Sequence, residues 1–337
     1  MGEWLVSGPE MAPGRRQPSG RGPARDTTTG TVYSGQERRE ARCSCVDILD
    51  LTTMATGTNP TSVLGTNPAP SLFSLSDRTI LVTGGARGLG LTIAHALLEA
   101  GADVVAFDLL QPVEPDWANA QAAAAKAGTS LAYVPLDVTD ADAVEVAVAD
   151  AFRSARTPVR GLFHAAGIQL LRDALEIRPD QWRKIIDVNL TGAFLVSAAF
   201  GRSWVAQGNG EANIPGQGAA IALVASMSGR VANRGLECAA YNASKAGVAQ
   251  LARNLGMEWG GKGIRVNSLS PGYIRTALTE ALIVERPSVL QEWTAGSLLG
   301  RLSTADEFRG PAIFLLSDAS SFMTGSDLVV DGGHTAV

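Results

Sequence analysis

A turn of glycines pinned between a strand and a helix restricts this chain more than any other feature. Thr79-Ile80-Leu81-Val82-Thr83 is a short apolar run, followed at once by Gly84-Gly85-Ala86-Arg87-Gly88-Leu89-Gly90. A helical pattern then runs over residues 91–99 and stops at Gly101. Glycines at this spacing permit a tight turn and let a pyrophosphate approach the helix N-terminus, whose free N–H groups receive an anion. Gly84, Arg87, Gly88, Leu89 and Gly90 are therefore expected to line a nucleotide site. Glycine-rich turns are common; the strand before and the helix after give this one its meaning.

The same alternation continues along the chain. Strand-like runs fall at 103–107, 131–135, 159–164, 220–225, 264–269 and 326–330, making seven with the first. Helical patterns cover 118–127, 140–154 and 179–204, together with the stretch that contains Tyr241. The strands are apolar throughout and show little alternation, which fits a sheet covered on both faces. The expectation is a single α/β, doubly wound domain over residues 71–337 with a mainly parallel seven-stranded sheet. Residues 207–218 read as a surface loop. Residues 277–300 carry Leu278, Ile283, Leu290 and Trp293 and read either as a substrate lid or as a packed excursion.

Residues 1–70 have a different character. They are rich in Gly, Pro, Ser, Thr and Arg and lack a hydrophobic period, so a flexible N-terminal arm is expected. Arg15, Arg16, Arg21 and Arg25 suggest a mitochondrial address, but interspersed Glu3, Glu10 and Asp26 speak against it. Translation from Met54 would remove most of the arm.

Composition closes off several classes. Apolar residues at 45%, charged residues at 18% and a net charge of −5 describe a globular protein without a nucleic-acid surface. No uninterrupted apolar run approaches the roughly 18 residues of a membrane span. Cys43, Cys45 and Cys238 give no disulfide framework, and a cytoplasmic setting is expected. No metal is expected.

Two further positions refine the nucleotide site. Asp108 ends the second strand, where a carboxylate can accept from both hydroxyls of an adenosine ribose and would repel a 2′-phosphate. Arg87 argues the other way, because a guanidinium there can pair with that phosphate. NAD is expected in preference to NADP. Asp137 and Val138 follow the third strand, where the carboxylate either meets an adenine amino group or caps the next helix.

Tyr241 and Lys245 lie four residues apart in a helical run, so both project from one face. A phenol titrates near pH 10 in isolation, roughly three units above neutrality. A neighbouring ammonium favours the phenolate and suits it to exchange a proton with an alcohol oxygen.

Taken in order, the glycine turn, Asp108, Asp137-Val138, Ala165-Ala166-Gly167, Asn189, Ser226, Tyr241–Lys245 and Pro271-Gly272 resemble the classical short-chain dehydrogenase/reductase family. The resemblance spans about residues 73–337 and leaves out only the arm. It implies a Rossmann-like fold, an NAD(P)(H) cofactor, a homotetramer, and a catalytic group of Asn189, Ser226, Tyr241 and Lys245. It also implies that Asn189 bends its helix to hold a relay water, and that Pro271, Gly272, Ile274 and Thr276 fix the carboxamide. Two departures stand out. The family's Asn-Asn-Ala-Gly is here His164-Ala165-Ala166-Gly167, so a fold-supporting side chain is missing, and His164 is either a base or a packed strand-end residue. Ala225-Ser226-Met227-Ser228-Gly229 offers two serines. Ser228 has the usual distance to the tyrosine, whereas Ser226 stands three before Gly229 and directly after the strand, and is preferred.

The serine run, the Tyr241-Asn242-Ala243-Ser244-Lys245 helix and Asn267-Ser268-Leu269-Ser270-Pro271-Gly272-Tyr273-Ile274 resemble fungal polyol and ketose reductases. That likeness implies a polyol or ketose substrate such as the D-arabinitol and D-ribulose pair. Ser226, Met227, Ser228, Asn233, Glu237, Tyr241 and Trp293, with Arg234 and His164, are expected around it. The alternative is a hydrophobic or secondary-metabolite ketone lined by Leu278, Ile283 and Trp293. A third reading is a cofactor-binding protein without catalysis.

Overall fold

The computed structural model describes residues 68–209 and 218–337. The expected arm, the Met54 start and most of the 207–218 loop lie outside these residues, as does the Leu278 side chain.

Seven strands form one sheet: β1 (Thr79–Thr83), β2 (Asp103–Asp108), β3 (Leu131–Pro135), β4 (Val159–His164), β5 (Ala219–Val224), β6 (Ile264–Pro271) and, after a later excursion, β9 (Asp327–Val330). Their order is β3-β2-β1-β4-β5-β6-β9, and every pairing is parallel. The direction of winding reverses between β1 and β4, which opens a crevice at the carboxyl ends of those strands.

Helices cover both faces, and alternation along each strand divides the core between them. Leu81 faces the layer of α3 (Ala141–Ser154), α5 (Gly192–Ala206) and α6 (Ala239–Trp259), where Phe152, Phe200 and Leu255 pack. Ile80 and Val82 face α1 (Gly88–Glu99), α2 (Asp116–Ala127) and α9 (Arg309–Leu316), against Leu97, Trp117 and Leu315. This explains strands buried along their whole length, as in β1 and β5.

Three elements depart from the sequence expectation. The helix expected over 179–204 is α4 (Pro179–Ile186), a π turn Asp187–Thr191, and α5. Its span Pro179–Ala206 is apolar enough by length and composition to cross a membrane, yet more than half of the apolar window is buried inside the protein. The helix α9 is not among the expected elements, because Gly310-Pro311 reads as a breaker; Pro311 falls in its first turn, where no N–H is required. A small parallel ladder joins β7 (Ile274–Arg275) to β8 (Ser303–Thr304). Between them α7 (Ala277–Glu285) and α8 (Ser288–Gly296) carry a small core of their own around Val289, Trp293 and Leu302.

The start of β2, and so the strand that delivers Asp108, is held by a buried carboxylate. Asp103 accepts from Arg156 at 2.6 Å, from Ser130 N–H at 2.8 Å and from Thr157 at 3.1 Å. Burial alone would raise its pKa; these donors outweigh burial and hold it below the usual range. A depressed carboxyl contributes stability above its unfolded pKa, which is lost as pH falls through the folded value. Asp103→Asn is expected to cost about 1–3 kcal/mol at pH 7 in urea melts, with the deficit shrinking below about pH 4. A deficit that does not change with pH would contradict this.

Candidate active site

The glycine turn is built by steric necessity. Gly84 holds φ +64° and Gly88 φ +56°, values that favour glycine. At Gly90 a Cβ would stand 2.0 Å from the Gly84 carbonyl oxygen, so only glycine lets α1 start this close to the strand. Around Gly88 the space is open, with nothing within 4 Å of where a Cβ would lie. Arg87, at the N-cap of α1, is exposed and has no ion-pair partner among the described residues.

Asp108 faces this turn from the end of β2. One carboxylate oxygen accepts from Ala86 N–H at 3.1 Å and the other from Leu110 N–H at 3.0 Å. Each oxygen keeps a lone pair for a ligand hydroxyl. Asp137 is exposed and accepts from the Thr139 N–H and hydroxyl at 2.9 and 2.7 Å. It does not cap α3; Asp140 does, accepting from Ala143 N–H. Val138 is buried against Gly192. An open anion-receiving helix start, a fixed carboxylate and a surface carboxylate along one edge fit an adenine dinucleotide.

The departure at His164 finds its account here. The Thr83 hydroxyl lies 2.9 Å from His164 Nδ1 and accepts from Ala166 N–H at 3.3 Å, while Ala165 N–H donates to the Thr83 carbonyl at 3.1 Å. The β1–β4 tie of the missing asparagine thus runs through histidine and threonine. His164 is 2% exposed, and burial, reinforced by the Lys245 charge, pushes its pKa down to about 3. It is a neutral packed residue, not a base, and it does not line the substrate cavity.

Asn189 sits in the π turn, 1% exposed. Its side chain accepts from Ile168 N–H at 2.8 Å and donates to the Ile168 carbonyl at 2.9 Å and Ser244 Oγ at 3.0 Å. It thereby joins the loop after β4 to α6. A Cβ on Gly167 would stand 3.3 Å from Asn189 Oδ1 and 3.4 Å from Lys245 Nζ, so these three groups share one small space.

Ser226 stands two residues past the end of β5 and accepts from Ser228 N–H at 3.1 Å. Gly229, three residues on, meets the α6 backbone so closely that a Cβ would come within 2.7 Å of Ala246 N. That contact seats the serine turn on the helix, and Ser226 and Tyr241 line the same cavity. Lys245 is 4% exposed and donates to the Val224 carbonyl at 2.7 Å, with Nζ 5.7 Å from the Tyr241 ring centre.

The electrostatics differ from the sequence expectation. Burial raises the Tyr241 pKa, the nearby Ser226 hydroxyl opposes that, and Cys238 adds to it. Lys245 itself is pushed down to about 8 by burial. Desolvation governs both groups, although Tyr241 is half-buried at the cavity and only Lys245 is withdrawn from its surface.

A cavity of about 460 Å³ opens at Tyr241. Ser226, Met227, Ser228, Tyr241 and Trp293 line it, as do Leu89, Pro271, Gly272, Ile274 and Thr276 from the expected cofactor side. Besides His164, three expected substrate residues do not. Asn233 is buried with its amide donating to Tyr273 OH at 2.9 Å, Glu237 is exposed beside Arg286 at 3.6 Å, and Arg234 is exposed. From the same stretch only Leu236 lines the cavity. Gln169, Leu170, Leu171, Leu236, Tyr273, Thr279 and Leu282 line the cavity instead. Tyr273 was within reach of sequence reasoning, since it lies between two residues already singled out.

The family model described as enoyl-(acyl carrier protein) reductase matches residues 84–335. The short-chain dehydrogenase/reductase notP′ of Aspergillus versicolor is 47% identical over 78% of this chain and 89% of its own length. The L-tagatose-forming galactitol 2-dehydrogenase of Cereibacter sphaeroides is 40% identical over 79% and 98%. The crystal structure of a gluconate 5-dehydrogenase from Burkholderia cenocepacia in complex with NADP and tartrate is 32% identical, with a TM-score of 0.70 over 80% of this chain and 100% of that one.

A lysine whose pKa falls on folding destabilises the protein while it is charged, here by about 3 kcal/mol at pH 7. The penalty fades as pH rises from about 8 to 10.5, the value of the free side chain. In urea melts without cofactor, the stability of the wild type relative to Lys245→Met is expected to rise by about 2–3 kcal/mol between about pH 7.5 and 10. A difference that stays flat would contradict the buried ammonium.

Proposed function

The chain belongs to the short-chain dehydrogenase/reductase family and is an NAD(P)-dependent oxidoreductase acting on alcohols; from that premise we propose that it interconverts a secondary alcohol and a ketone at Tyr241. The observation that carries this reading is the convergence of Ser226 and Tyr241 on the wall of one cavity, with Lys245 one helical turn behind. A bound nicotinamide supplies the hydride acceptor or donor. In oxidation Tyr241 takes the alcohol proton once its own proton has left through the Lys245 relay to solvent, and in reduction it gives a proton to the carbonyl oxygen. Ser226 holds that oxygen. Lys245 offers the two N–H groups that Val224 leaves free, one toward a ribose hydroxyl and one toward a relay through water at Asn189. Gly84, Arg87, Gly88, Leu89, Gly90, Asp108, Asp137 and Val138 would hold the adenosine diphosphate half. Ala165, Ala166, Gly167, Pro271, Gly272, Ile274 and Thr276 would hold the nicotinamide half.

NAD is the preferred cofactor on this reading, because the fixed Asp108 carboxylate repels a 2′-phosphate. A polyol and ketose pair, with D-arabinitol and D-ribulose as the leading case, is supported by relatives named for such substrates. The second reading, a ketone with an apolar body, is supported by the walls of Leu170, Leu171, Leu236, Leu282 and Trp293. A cytoplasmic homotetramer completes the proposal.

Assays at 340 nm with pentitols, hexitols and hydrophobic alcohols, each with NAD and NADP, separate these readings. Turnover of pentitols with NAD is expected; confinement of turnover to apolar substrates would move the assignment to the second reading. A tenfold preference for NADP would overturn the role of Asp108. Ser226→Ala is expected to lower kcat by about 10²-fold or more, and Ser228→Ala to leave it within about threefold. Loss confined to Ser228→Ala would reverse the assignment.

A further inference from the structure

Met227, Ser228 and Leu236 of the loop after Ser226 line the cavity, while Asn233 of the same loop forms a strut behind its wall. Asn233 is buried and uses both ends of its amide. Nδ2 donates to Tyr273 OH at 2.9 Å, and Oδ1 accepts from Asn242 Nδ2 at 2.9 Å. Asn242 is the neighbour of Tyr241 and also donates to the Val231 carbonyl at 3.2 Å. At the far end, Tyr273 stacks on Trp293 with ring centres 4.1 Å apart and planes 10° from parallel. Both rings line the cavity. An unbroken chain of contacts therefore runs from the first turn of the catalytic helix to the aromatic wall on α8.

We propose that Asn233 is a positioning residue: it fixes the Tyr273–Trp293 wall relative to Tyr241, so that the substrate body is held at a set distance from the reacting oxygen. Asn233 touches neither substrate nor cofactor. A buried tyrosine hydroxyl needs a partner, and this amide supplies it while its other end is tied to the helix that carries the acid/base. Loss of the tie frees the wall without altering Tyr241, Ser226 or Lys245. Substrate and transition state then lose the same contact, which raises KM and spares kcat. The proposal rests on the reading of this cavity as the substrate site.

The test compares wild type, Asn233→Ala, Tyr273→Phe and the double variant on the best alcohol of the panel. Tyr273→Phe removes only the hydroxyl and guards against a misfolded Asn233 variant. Each single change is expected to raise KM about five- to tenfold, with kcat within about twofold and the pH profile of kcat unmoved. The double variant is expected to match the single ones, since both break one tie. Effects that multiply, or a fall in kcat at unchanged KM, would overturn the proposal. Hydrogen exchange over Ser288–Gly296 reads the same tie without turnover: both variants should accelerate it about tenfold or more, and unchanged protection would overturn the proposal. Absence of any wild-type turnover with accelerated exchange would refute the reaction instead and leave the strut standing.

Discussion

The site depends on a buried ammonium held by a carbonyl. Lys245 donates to the Val224 carbonyl at 2.7 Å from the middle of α6, and Val224 is the last residue of β5. Through this bond the catalytic helix is fastened to the strand whose next turn carries Ser226. The close contact of Gly229 with the backbone of Lys245 and Ala246 fastens the two again at the same point of the helix. Ser226 lies between Val224 and Gly229, and Tyr241 one turn before Lys245, so their relative placement is set by backbone packing rather than by flexible side chains. Burial is the cost of this arrangement, visible in the lowered lysine and the raised tyrosine.

The two halves of the crevice are made in different ways. On the β1–β2 side, backbone does most of the work: a turn closed by Gly90, two N–H groups pinning Asp108, and a helix start left open at Gly88. On the β5–β6 side, side chains from five segments converge. Leu171 comes from the loop after β4, Leu236 from the loop before α6, Tyr273 from the end of β6, and Leu282 and Trp293 from α7 and α8. Backbone recognition suits a shared nucleotide, while side chains on loops can vary with the substrate.

That difference also sets what could be read from the sequence. The glycine turn and Asp108 were legible because their meaning is local: strand, turn, helix and strand end follow in a few residues. The inner strands were legible because buried parallel strands leave continuous apolar runs, and the half-buried edge strands β3 and β9 still carry short apolar runs. The π turn at Asn189 leaves the helical period nearly intact, so only the family resemblance, which implies a bend there, pointed to it. Asn233 and Glu237 were misplaced because polarity alone does not tell which side of a wall a loop residue faces. Tyr273 and Leu236 were passed over for the same reason, as their directions are set by the stack on Trp293 and by the small core of α7 and α8. The sequence leaves His164 as either a base or a packed strand-end residue; its burial, which no motif displays, makes it the packed one.

The central claim is that the Tyr241 phenol exchanges the substrate proton in a site whose cofactor half is separately built. Tyr241→Phe tests it most directly when NADH binding and turnover are measured on the same sample. The account predicts NADH affinity within about threefold of wild type, read by energy transfer from tryptophan, and a loss of kcat of about 10³-fold or more. A variant that binds NADH and still turns over alcohol within tenfold of wild type would contradict it.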